Sequence, residues 1–211
     1  MTTFQTPAPI AVTIEVLAGN VTVIATDRTD TVVDVRPADA SKKADVRAAE
    51  QTRIDFTAGT LTVHTPKSWR TNTPFGGNPS VEVTIEVPTG SQLTSTTGVG
   101  RVLGIGELGR CELEVSLGDI TIERPTDSVT AKTAKGDIHI VEAADGVLRL
   151  ETSLGELSVG IAPGSAARLE ADTQRGTVHN QLAPAGSSDK TVHIVARNAL
   201  GNIIIQHVVA A

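Results

Sequence analysis

Residues 111–122 read CELEVSLGDITI, residues 129–140 read VTAKTAKGDIHI and residues 148–159 read LRLETSLGELSV. Each is an alternating apolar run, a glycine, and a second alternating apolar run. Counted from the glycine, the inward set is −7, −5, −3, +2 and +4. Strict alternation would put −3 and +2 on opposite faces, so the glycine marks a bend that resets the alternation by one residue. Such a bend often needs φ > 0, which glycine reaches without steric cost.

The same unit extends outward in both directions. Its glycines are Gly19, Gly59, Gly100, Gly118, Gly136, Gly155, Gly176 and Gly201, spaced by 40, 41, 18, 18, 19, 21 and 25 residues. The first two spacings are near twice the third, so a degenerate rung is expected inside each, at Val32–Val35 and Val81–Val87. Eighteen residues suffice for two strands and two turns at ~3.3 Å per residue. A period near 20 with this alternation predicts an all-β fold: a β-solenoid, or β-helix-like stack, of ~18–21-residue glycine-centred strand repeats. The rival arrangement is a pair of packed sheets made from the same units as hairpins.

The remaining segments fit around that array. Ala38–Gln51 (ADASKKADVRAAEQ) predicts one short helix near residues 40–50, starting from a cap at Asp39 or Ser41. Residues 66–79 (PKSWRTNTPFGGNP) predict a loop. The whole chain, 1–211, is expected to form a single β-repeat domain, with less regular rungs over 1–90 and regular ones over 91–211. The C-terminal IIIQHVVAA (203–211) is expected to close the array and to offer an edge for self-association.

Composition narrows the partners. Aromatic residues make up 2% of the chain, so the core must be narrow and filled by Val, Ile, Leu, Ala and Thr. A net charge of −6 argues against a nucleic-acid partner. One cysteine cannot make an internal disulfide. Met1–Pro9 has neither the basic region nor the apolar run of a signal peptide, and no stretch approaches a membrane-spanning length. A cytoplasmic protein without membrane insertion is expected.

Candidate chemistry is sparse. His139 and His179 hold equivalent places two rungs apart, with Ser158 between, giving a backbone gap of about 9–10 Å that suits surface histidines better than one zinc. Asp119, Asp137 and Glu156 each follow their glycine and form an acidic column, either a cation site or carboxylates at solvated turns. Cys111 falls on an inward file, where a thiol is inert. Motifs for a hydrolase elbow, a phosphate loop or a dithiol pair are missing from the sequence. No enzyme, cofactor or metal is therefore expected. Lys67, Trp69, Arg70 and Phe75 make the 66–79 loop the candidate partner-binding segment, since exposed aromatics beside cations are common interaction hot spots.

The units SLGDITI (116–122), AKGDIHI (134–140) and SLGELSV (153–159), with the opening IAVTIEV (10–16) and the KSWR…PFGG loop (67–77), resemble the bacterial putative-adhesin family of β-strand repeat proteins, a family of unknown function. The resemblance implies a stacked β-repeat fold without assigned site residues. The expected role is a non-catalytic protein-interaction scaffold; the alternative is a cell-envelope adhesin.

Overall fold

The computed structural model describes residues 1–66, 79–182 and 190–208, which form eighteen strands and one helix. The strands before and after each glycine stack into two facing sheets, and successive rungs pair in parallel. Cys111–Leu117 pairs with Val129–Lys135, and Ile120–Pro125 with Ile138–Ala143. Ile120, Ile138 and Leu157 are direct register partners with no exposed surface. Equivalent side chains therefore pile into files, and the fold is the solenoid rather than the hairpin sandwich. Each fully buried Ile or Leu in those files stabilises it by roughly 1.5–3 kcal/mol.

The rungs do not stack in chain order at the C-terminal side. Leu157 pairs with Ile203, and Ile203 with Val178. Leu150 likewise pairs with Ala196, and Ala196 with Ala171. The chain leaves the Gly155 rung, builds the Gly176 rung two levels further out, then returns to fill the gap with the Gly201 rung. This corrects the expectation for the C-terminus. Ile203–His207 is bonded along both edges, so it neither ends the array nor offers an edge for self-association.

Outward charges favour the exchange. Along one file the register runs Glu114, Lys132, Glu151, Arg197, Asp172. Signs alternate at every step, and Lys132 Nζ lies 3.4 Å from Glu151. Stacking in chain order would have set Glu151 against Asp172, a repulsive cross-strand pair.

The N-terminal side departs from the repeat in three ways. Gly59 is not a rung bend: with Ala58 (φ 50°) and Gly59 (φ 79°) it turns the antiparallel hairpin of Arg53–Thr57 and Thr60–His64, as two left-handed residues do in a tight hairpin. Asp30–Pro37, which contains Val32–Val35, runs antiparallel to Val81–Pro88 and is a cap rather than a rung. Val81–Pro88 is the expected parallel rung strand; it and Thr60–His64 form the two halves of one rung against Ala11–Thr26.

Thr2–Gln5 pairs outside the cap strand, and the helix Lys43–Gln51 packs against it. Its Asp45, buried, accepts the Ser80 N–H at 3.1 Å. The helix begins at Lys42 without a side-chain cap. Asp39 instead accepts the Ser41 N–H (2.9 Å) and hydroxyl (2.6 Å), making a separate turn ahead of it. Phe4 and Phe56, ring centroids 5.1 Å apart, pack against this end of the core. Among the described residues no helix is long and apolar enough to cross a membrane.

Candidate interaction surface at the glycine corner

The bends stack into one column, ordered Gly19, Gly100, Gly118, Gly136, Gly155, Gly201, Gly176, with φ between 138° and 156°. A Cβ built on Gly136 would lie 2.1 Å from the Gly118 oxygen, and one on Gly118 would lie 1.8 Å from that of Gly100. Both left-handed backbone and close carbonyl approach thus demand glycine. Four carbonyls at the corner accept a hydrogen bond from a side chain at the −3 position. Thr133 donates to Gly118 (3.0 Å), Thr152 to Gly136 (3.0 Å), Thr173 to Gly201 (3.2 Å) and Asn198 to Gly155 (2.7 Å). Position −3, expected to be apolar, is therefore mostly a hydroxyl file inside the core.

The acidic column serves the same corner. Asp119 accepts the N–H of Asp137 (3.0 Å), and Asp137 that of Glu156 (2.7 Å). Asn20 does this for Arg101 and Asn202 for Thr177, both at 3.1 Å. These side chains are backbone acceptors linking rung to rung. Among the described residues no group of three or more His, Cys, Asp or Glu side chains is placed to hold a metal ion.

One position outside the inward set gives the corner its surface chemistry. In six of the seven column rungs the residue before the glycine is tipped out to solvent (Ala18, before Gly19, is buried), and Val99, Leu117, Leu154 and Leu200 are 43, 47, 39 and 40% exposed. Their register runs Val99, Leu117, Lys135, Leu154, Leu200, Arg175. From Val99 to Leu200 this apolar ridge spans about 19 Å, four steps of ~4.8 Å, with one cation in its middle and another beyond its end. The glycine-centred repeat contains the signal, an apolar residue at −1 in these four rungs, but counting only inward positions passes over it.

The expected loop joins the solenoid at this same corner. Thr65 donates its N–H to Glu15 (2.9 Å), and Val81 pairs with Gly19. Thr65 and Val81, on either side of the loop, thus both border the corner strand that carries Gly19. Lys67, Trp69, Arg70 and Phe75 themselves lie outside the described residues. Beside the loop's base, a depression of about 140 Å³ is lined by Glu15, Leu17, His64, Thr65, Thr96 and Glu114, and His64 Nδ1 lies 2.8 Å from Glu15.

Elsewhere the titratable groups stay apart. His139 and His179 are separated by Ser158 and also Ile204, so they stand three rungs apart, about 14 Å, rather than two. Cys111 has no exposed surface, donates to the Gly109 carbonyl at 3.5 Å, and has its thiol pushed up to about 12, chiefly by burial and secondarily by the charge of Asp127.

No protein-family model and no curated protein matches this sequence. Solved structures do match in shape. A putative cell adhesion protein from Clostridium sporogenes aligns over 98% of this chain and 98% of its own, with a TM-score of 0.51 at 14% identity. The chain shares the fold of that protein. A putative adhesin from Bacteroides fragilis aligns over 97% and 95%, with a TM-score of 0.44 at 14% identity. A putative lipid binding protein from Parabacteroides distasonis aligns over 99% and 96%, with a TM-score of 0.38 at 10% identity.

Proposed function

We propose that this chain is a non-catalytic scaffold of the cytoplasm that binds a protein partner along its glycine corner. The exposed file of Val99, Leu117, Leu154 and Leu200 carries the reading, because a straight apolar ridge with rigid spacing suits an extended partner segment. Lys135 and Arg175 would orient an acidic residue in that segment, and Trp69 and Phe75 of the adjoining loop would add aromatic anchors. Two carboxylates of the acidic column, Asp119 and Asp137, are engaged with backbone N–H groups, and Cys111 is buried and hard to ionise, which supports a role without catalysis. The test is affinity capture from the native host with wild-type bait and with Leu117→Asp/Leu154→Asp. The double variant should keep its melting temperature and lose a partner that wild type retains; an unchanged set of captured proteins would remove the proposal. Trp69→Ala asks the same of the loop.

The second reading is an adhesin-like role at the cell envelope. The fold shared with the putative cell adhesion protein from Clostridium sporogenes favours it. Fractionation of native cells separates the two: recovery with the envelope supports adhesion, and recovery in the cytosolic fraction supports the scaffold.

A further inference from the structure

The two ends of the stack are finished differently. At one end the antiparallel strands, the helix and the Phe4–Phe56 pair cover the core. At the other end Ala166–Arg175 pairs only with Thr191–Leu200, and Val178–Gln181 only with Ile203–His207, among the described residues. Leu169 and Ala171 are left half-buried there. Val178 is 42% exposed, while Ile203, its register partner one rung inward, is fully covered. A ten-residue strand with one edge unpaired among the described residues, beside an incompletely covered apolar file, invites another strand.

The charges on that strand select the occupant. Arg168, Glu170 and Asp172 all point outward and are exposed. A closed dimer has a twofold axis, so the edge would meet its own copy antiparallel. The pleat requires outward residues to face outward residues, which places the axis through a residue rather than between two. An axis at Arg168, Glu170 or Asp172 opposes that charge to itself, and an axis at Ala171 opposes Glu170 to Asp172. An axis at Leu169 opposes Arg168 to the copy's Glu170, twice, and creates no like-charge pair. Directly opposed ions of opposite sign stabilise antiparallel strands, and like ions destabilise them.

We propose that two copies of this chain join end to end through Ala166–Arg175, antiparallel about Leu169, with Arg168 and Glu170 exchanging ion pairs. The edge is self-complementary; it shares Arg175 with the glycine-corner surface, while Val99, Leu117, Leu154 and Leu200 lie along the side of the stack.

Sedimentation velocity at tens of micromolar tests it. Wild type should sediment as a dimer. Arg168→Glu and Glu170→Arg should each weaken association roughly tenfold or more, because each sets like charges opposite one another twice. Mixing these two single variants should restore a dimer, as should combining both changes in one chain. Both side chains are exposed, so at a dilution where wild type is also monomeric the melting temperatures should agree, which separates lost pairing from lost folding. A monomeric wild type, single variants that remain dimeric, or a mixture that remains monomeric would each overturn the proposal.

Discussion

Glu151 faces Arg197 across neighbouring parallel strands, and Arg197 in turn faces Asp172. The last segment of the chain is thereby held between two rungs that were made before it. This arrangement converts a like-charge neighbour pair into two favourable ones. Reversing the charge with Arg197→Glu should cost about 1–2 kcal/mol, taking a few tenths to 1 kcal/mol for each altered pair. Urea denaturation measures it, and added salt should recover part of the loss because these charges are exposed.

Glycine is required for different reasons at different places. Gly136→Ala drives a Cβ to 2.1 Å from the Gly118 carbonyl oxygen as well as straining φ. Gly59→Ala meets nothing within 4 Å and strains only φ at 79°. The hairpin variant should lose about 1–2 kcal/mol, whereas the corner variant should lose several kcal/mol or fail to fold. Equal losses in thermal or urea unfolding would contradict the stacked-carbonyl explanation.

Thr152 is buried, and its hydroxyl donates to the Gly136 carbonyl at 3.0 Å. Thr152→Val keeps shape but leaves that acceptor without this donor. A loss of about 1–3 kcal/mol is expected from an unmet buried carbonyl. Thr152→Ser, which keeps the donor, should lose less of this term in the same unfolding assay.

Cys111 should resist alkylation in the folded protein at pH 8 and react once urea unfolds it, as followed by mass spectrometry. The pH effect has a definite sign. The folded thiol keeps its proton to about 12 and the unfolded thiol to about its ordinary value of 9.0. This group therefore leaves stability unchanged below pH 9 and lowers it as pH rises beyond that, because only the unfolded chain gains the thiolate. Cys111→Ala should flatten that alkaline decline.

Much of the fold is legible in the sequence because the repeat fixes parity. Ile120, Ile138 and Leu157 occupy the files that their distance from glycine predicts, and the Ala- and Lys-rich stretch before Gln51 forms the helix. Rung order is not legible from spacing, since 21- and 25-residue intervals are compatible with either stacking order. The outward charges did contain that information: Glu151 and Asp172 would have repelled as neighbours, and Arg197 is the residue that separates them. The antiparallel path of Asp30–Pro37 was hidden for a related reason, because alternation is the same in parallel and antiparallel strands. The corner ridge was hidden by parity itself. Strict alternation would turn Leu117 and Leu154 inward, and the bend turns them out.

The order of the last rungs is tested most directly by cysteine pairs and oxidative cross-linking. Glu151→Cys with Arg197→Cys places the two positions on adjacent strands, about 5 Å apart and within disulfide reach. Glu151→Cys with Asp172→Cys places them two rungs apart, near 10 Å and beyond that reach. Rapid intramolecular bridging of the first pair and none of the second is the predicted result; bridging of the second pair instead would mean that the rungs follow chain order and that the C-terminal segment is not inserted.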